Sequence, residues 1–289
     1  MNSPNDDFSG ISPVPPATDE GFDPIAPAAP IESSTKTEDE NFIPGGRAVS
    51  AENGWAWIAG AFVLFARKPW FWIGIMLAYV VAFFVLTFVP FIGSIITMFI
   101  PFLFTAGVVY SCDLLEREGS FAFNDIFIGF KRQLGSLLLI GLIVFGFTIL
   151  LILITLPFLG TAIYGFITGV QSSSVAGTGV GIGMLVIGAL IIVIGSLVCA
   201  MGIWFAPALI IMHKIEPIRA IKMSFSACFK NLLPGIIFFI IVFGLTIIAA
   251  IPFGLGFLVM WPIFFISYYT TYRDIFLGKE RLVGQAALG

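Results

Sequence analysis

The sequence predicts an all-α membrane protein with six transmembrane helices, arranged as three parallel hairpin repeats that are each preceded by an interfacial amphipathic helix. Three observations carry this prediction. Hydrophobic residues make up 58% of the 289 positions and charged residues 11%, against roughly 25% charged in a soluble domain, which could not bury so much apolar surface. Pro69–Cys112, Gln133–Met212 and Asn231–Tyr272 contain no Asp, Glu, Lys, Arg or His, and each is long enough for two crossings of about 20 residues. A short aromatic and basic signature also recurs three times along the chain.

The first element is a tail. Residues 1–52 hold ten acids against Lys36 and Arg47, and Met1–Gly46 contains eight prolines. Such a segment cannot bury enough apolar surface to offset the entropy of ordering. Residues 1–50 are therefore expected to be a disordered, acidic, Pro-rich cytoplasmic tail, either solvating or docking a protein partner. It lacks the basic start and apolar centre of a secretory signal.

Residues 51–278 form the expected membrane domain. Helices are placed near Trp70–Val89, Ile92–Ser111, Leu134–Leu156, Gly183–Ala206, Pro234–Ile251 and Leu255–Tyr272. The bases then fall on one side. Arg67 and Lys68 precede the first helix, and Arg117, Lys131 and Arg132 separate the second from the third. Lys214, Arg219, Lys222 and Lys230 separate the fourth from the fifth, and Arg273 follows the sixth. The positive-inside rule makes that side cytoplasmic, with both termini on it. Residues 279–289 make a short cytoplasmic tail.

Each repeat has a physical rationale. Phe65-Ala66-Arg67-Lys68, Phe130-Lys131-Arg132 and Phe229-Lys230 precede apolar helices that reach Pro90-Phe91-Ile92-Gly93, Pro157-Phe158-Leu159-Gly160 and Pro252-Phe253-Gly254. Proline removes a helical hydrogen bond and glycine permits the reversal, so Pro90, Gly93, Pro157, Gly160 and Pro252 are assigned to turns. Pro101 and Pro262 each lie twelve residues before an aspartate, Asp113 and Asp274, and Pro207 holds the matching mid-helix place in the second repeat. In Pro217–Lys230, Ile218, Ile221, Phe225 and Phe229 recur at helical spacing away from Arg219, Lys222 and Lys230, the pattern of a helix lying at headgroup level.

Little points to catalysis. Cys112, Cys199 and Cys228 have no C-x-x-C spacing, His213 is the single histidine, and neither a nucleophile elbow nor a phosphate loop occurs. No cofactor or metal is expected. Net charge of −3 argues against nucleic acid. Gly181, Gly188, Gly195 and Gly202 recur every seven residues, which puts them on one stripe for close helix packing. Asp113, Glu116, Glu118, Asp125 and Asp274 are expected to be solvated interfacial charges. Arg67, Lys68, Lys131, Arg132, Arg219, Lys222, Lys230 and Arg273 are expected to face lipid headgroups.

Gly54-Trp55-Ala56-Trp57, Phe62–Arg67, Trp204-Phe205-Ala206-Pro207-Ala208-Leu209 and Tyr272-Arg273-Asp274-Ile275-Phe276 resemble an uncharacterised family of proteobacterial inner-membrane proteins known only by a locus name. More distantly, the pattern is similar to YciC-like proteins and to the membrane domain of some glycerophosphodiester phosphodiesterases. The resemblance implies a bacterial inner-membrane location and brings no established activity with it. The expected role is that of a non-enzymatic envelope protein associating with membrane lipids or a partner. The alternatives are a facilitative transporter or exporter of a small or lipidic molecule, and an interfacial enzyme using His213 and Glu216.

Overall fold

The computed structural model describes residues 42–89 and 92–278, and all the regular structure among them is helical. In chain order the helices are α1 (Asn53–Arg67), α2 (Pro69–Thr87), α3 (Ile92–Glu118), α4 (Ile128–Arg132, after a 3₁₀ turn at Phe123–Phe127), α5 (Leu134–Gln171), α6 (Val175–Ile203), α7 (Ala206–His213), α8 (Pro217–Lys230), α9 (Leu232–Ala250) and α10 (Phe257–Leu277). Pro90, assigned to a turn, lies outside the described residues, as do residues 1–41 of the tail and 279–289.

Five segments are long and apolar enough to cross a membrane: Pro69–Thr87, Gly93–Glu118, Leu134–Gln171, Val175–His213 and Leu232–Ala250. The expected sixth helix, α10, is not among them. Its second half carries Ser267, Tyr268, Tyr269, Thr270, Thr271, Arg273 and Asp274, and these lower its hydropathy. Yet α10 is the most enclosed of the long helices. Every residue from Tyr269 to Leu277 is buried, on all faces of the helix, because α1, α2, α3 and α9 all pack against it.

The turns depart from expectation in the second repeat. Helix α5 does not end before Pro157 but runs through it and through Gly160 to Gln171. In lipid an interrupted helix leaves backbone groups with no water to bind, so a proline is tolerated where Ser or Thr hydroxyls relieve the local backbone. Thr155 Oγ1 donates to the carbonyls of Leu151 and Ile152, and Thr161 Oγ1 donates to Pro157 O. The real reversal is Ser172–Ser174, with Ser173 at φ +50° and the Ser174 side chain capping α6 through Gly177 N. Pro207 likewise is not mid-helix. The chain breaks at Trp204–Phe205, and Pro207 sits in the first turn of α7, where its missing N–H costs nothing.

Gly93, assigned to a turn, lies in the first turn of α3. At Gly93 a side chain would collide with the Leu86 carbonyl, so only glycine fits. Pro252–Gly254 reverses the chain through Phe253 at φ +53° and Gly254 at φ +80°. Pro101 and Pro262 lie inside the continuous helices α3 and α10.

Helices α5 and α6 form a long peripheral hairpin. Its tip closes where Gly165 and Gly169 lie against the backbone of Gly177, Thr178 and Gly181. With 38 residues, α5 extends about 57 Å at 1.5 Å per residue, well beyond the ~30 Å hydrocarbon core.

Candidate functional site: the charged end of the bundle

The described acids gather at one end of the bundle, where Asp113 and Asp274 are buried and Glu116 is half-buried. Asp274 on α10 accepts from Asn53 Nδ2 at 2.5 Å, Trp57 Nε1 at 2.8 Å and Arg47 Nη2 at 2.6 Å. Glu116 on α3 meets Arg273 Nη2 at 2.7 Å and the Tyr269 hydroxyl at 2.6 Å. Asp113 pairs with Arg117 Nε at 2.9 Å. The expectation of solvated carboxylates therefore fails for Asp113, Glu116 and Asp274. A buried carboxylate persists only when paired and hydrogen-bonded, and here three carboxylates meet three guanidinium groups. Glu118 is exposed, and Asp125 caps its own turn by accepting from Ala122 N.

Residues 42–50 belong to this cluster, although composition assigns them to the disordered tail. They form a strap across the end of α10. Ile43 N and Arg47 N donate to the carbonyls of Phe276 and Ile275, which lie among the last four carbonyls that a helix leaves without partners. Asn231 pins the strap by accepting from Val49 N and donating to Arg47 O. The Phe42 ring lies tilted over that of His213 at 4.0 Å, and His213 Nε2 lies 2.6 Å from the Tyr272 hydroxyl. Backbone geometry, not composition, recruits these residues.

The basic residues divide into two groups. Arg273, expected at the headgroups, is 5% exposed and held by Glu116. Burial around α10 removes it from lipid. Arg67, Lys131, Arg132, Arg219, Lys222 and Lys230 are exposed, and Lys68 is half-buried. Aromatic faces steady some of them. Lys68 lies 5.4 Å from the Phe121 ring, and Arg132 lies 5.4 Å from Tyr110. Lys230 also donates to Gly45 O and Gly46 O.

Helix α8 presents three faces. Ala220, Met223, Ser224 and Ala227 are buried in the bundle, and the Ser224 hydroxyl links Met201 O to Phe205 N across the break between α6 and α7. Ile218, Phe225 and Phe229 point outward as exposed apolar groups. Arg219 and Lys222 project beside them.

The glycine stripe of α6 turns inward. A side chain at Gly181, Gly188 or Gly195 would meet Ala162 and Phe166, Phe158, or Leu151 of α5, and one at Gly202 would meet Ile221 of α8. Among the described residues no group of three His, Cys, Asp or Glu side chains could hold a metal ion.

Sequence reasoning missed Asn53, Trp57 and Tyr269 as partners of the buried carboxylates. The matched Pro-to-Asp spacing of Pro101–Asp113 and Pro262–Asp274 was the available signal. Each aspartate lies twelve residues beyond a proline inside its own helix and ends buried in the bundle.

The chain is similar to a probable inner membrane protein of Burkholderia thailandensis, with 25% identity over 265 residues that cover 80% of this chain and 94% of the relative. No family model matches, and no solved structure matches. The relative agrees with the resemblance to uncharacterised proteobacterial inner-membrane proteins known by a locus name. Several helices of this chain are long and apolar enough to cross a membrane, as in a membrane protein.

Proposed function

We propose that this protein is a non-enzymatic, six-span inner-membrane protein that holds anionic phospholipid against its cytoplasmic face. The observation that carries the reading is the construction of α8. It buries one face in the bundle, exposes Ile218, Phe225 and Phe229 to lipid, and sets Arg219 and Lys222 beside them. Basic residues near an anionic surface contribute about 1 kcal/mol each.

Several features support six spans with both termini in the cytoplasm. Helix α9 leaves from Asn231, which binds the strap, and α10 returns to the same strap through Phe276 and Asp274. A helix of 21 residues spans about 32 Å. Its polar half is shielded by neighbouring helices, so it needs no apolar surface of its own. The exposed bases lie at this end, which the positive-inside rule assigns to the cytoplasm. Three parallel hairpins, α2–α3, α5–α6 and α9–α10, fit this arrangement, and buried Asp113 and Asp274 hold equivalent places in the first and third.

A transport path along the bundle has less support. Tyr79 stacks on Phe104, and Phe265 meets both rings edge-on, all within 6 Å, so the contact between α2, α3 and α10 is filled by aromatic rings.

The test is phospholipid retention. Protein purified in mild detergent is expected to keep phosphatidylglycerol, and joint replacement of Lys131, Arg132, Arg219 and Lys222 by Gln is expected to reduce that content. Equal content in the variant would refute the reading.

A further inference from the structure

The α5–α6 hairpin does not close along its whole length. Gly181, Gly188 and Gly195 contact α5, whereas Gly202 meets Ile221 of α8 and no atom of α5. Toward α8 the two helices leave a half-open crevice made of two adjoining cavities of about 350 and 310 Å³, which share Phe147, Cys199 and Ile203 in their walls. Volumes above about 300 Å³ are in the range of ligand sites.

The walls are mostly apolar, with Ser196 the one serine among them. Thr148 and Thr155 line the deeper cavity, but their hydroxyls donate to the Val144 and Leu151 carbonyls of their own helix. Their methyl groups are left as crevice wall. One charged residue borders the crevice: Lys222, on the shallow cavity beside Ile221 and Phe225. Arg219 lies three residues earlier on the same helix, close enough to share a ligand.

We propose that this crevice is a binding site for one anionic phospholipid, with an acyl chain between α5 and α6 and the phosphate against Lys222 and Arg219. The dimensions favour this occupant. From Ile203 at the shared wall to Ile192 at the deep end, α6 advances eleven residues, about 16 Å. That is the depth of one leaflet, half of the ~30 Å hydrocarbon core. An apolar slot one leaflet deep, open sideways to the bilayer and basic at its headgroup end, complements a phospholipid and not a soluble molecule. The inference rests on the function proposed above but makes a narrower claim, a single seated lipid instead of a diffuse basic belt.

Native mass spectrometry of the full chain in detergent, titrated with dioleoyl phosphatidylglycerol or dioleoyl phosphatidylethanolamine, tests it. One phosphatidylglycerol is expected to stay bound in preference to phosphatidylethanolamine. Lys222→Gln should cut that preference about fivefold, the effect of ~1 kcal/mol at one basic group. Cys199→Trp and Ile203→Trp, which fill the crevice from one wall, should abolish binding of the retained lipid. Ile194→Trp, on the exposed face of α6, should leave it unchanged, as a control for folding. A photoreactive acyl-chain phosphatidylglycerol should crosslink wild-type protein at Phe147, Cys199 or Ile203. Binding that survives both crevice-filling variants, or crosslinks spread over the outer helix faces, would overturn the site. The basic-belt reading would stand if the quadruple Gln variant still lost lipid.

Discussion

Asp274, near the end of α10, accepts the indole N–H of Trp57 at 2.8 Å while its other oxygen holds Arg47 at 2.6 Å. One carboxylate thus joins the first helix, the strap before it and the last helix, across 227 residues of sequence. With Asn53 as a further donor, Asp274 closes the bundle at the end where the chain both enters and leaves it.

Asp274→Ala should therefore be far more damaging than loss of its charged partner. It strands the buried N–H groups of Trp57 and Asn53, and each buried donor left without a partner costs about 1–3 kcal/mol. The Arg47 side chain is 40% exposed, so Arg47→Met should cost about 1 kcal/mol or less. Thermal unfolding in detergent reads the difference, and equal losses in the two variants would contradict this account.

The α5–α6 tip gives a sharper contrast. At Gly181 an added Cβ would lie 2.6 Å from Phe166 N and 2.8 Å from Ala162 O, both backbone atoms that cannot move aside, whereas Gly160 has open space around it. Gly181→Val should destabilise by about 1–3 kcal/mol through overpacking. Gly160→Ala should be neutral or stabilise by about 0.5–1 kcal/mol, because it removes a mid-helix glycine. Denaturant titration of both variants checks the sign as well as the size.

Cys228 should resist alkylation. Burial pushes its thiol from the ordinary 9.0 up to about 12, against a smaller opposing pull from the Ser224 hydroxyl. At pH 8 the thiolate fraction is about one in ten thousand, and only the thiolate reacts. Iodoacetamide labelling of Cys228, followed by peptide mapping, should rise about tenfold per pH unit between pH 8 and pH 11. The raised value means that the folded state favours the neutral thiol. That contribution to stability is whole below pH 9 and is lost as pH climbs toward about 12. A labelling rate that levels off above about pH 9, as for an ordinary thiol, would show that the site is open to solvent.

Orientation can be read with single cysteines in a cysteine-free background. Ser173→Cys, in the turn between α5 and α6, should react with an impermeant maleimide added from the periplasm. Ser120→Cys, in the turn after α3, should react only after the inner membrane is opened. Reporter fusions at both termini should give cytoplasmic signals. A periplasmic signal from the C-terminal fusion would mean that α10 does not cross.

The glycine stripe of α6, the α8 boundaries at Pro217 and Lys230 and the Pro252–Gly254 turn were legible in the sequence because each depends on local spacing and backbone conformation. Pro157 and Pro207 were not. Whether a proline ends a helix depends on the solvent around it and on nearby hydroxyls such as Thr155 and Thr161. In the first case α5 continued, and in the second the chain broke three residues before the proline. The buried cluster was missed for a related reason. Asp113 and Asp274 border uncharged stretches, as interfacial residues do, and nothing local distinguishes a carboxylate facing water from one facing Asn53, Trp57 or Tyr269.

By itself the sequence determined the medium: 58% apolar residues and long uncharged stretches leave lipid as the only solvent in which these helices are stable. Only the tertiary structure decided which helix lies at the centre, that Arg273 turns away from lipid to Glu116, and that residues 42–50 are a strap and not part of the tail. Hydropathy belongs to each residue, whereas burial and pairing belong to its neighbours, and those are chosen only when the helices meet.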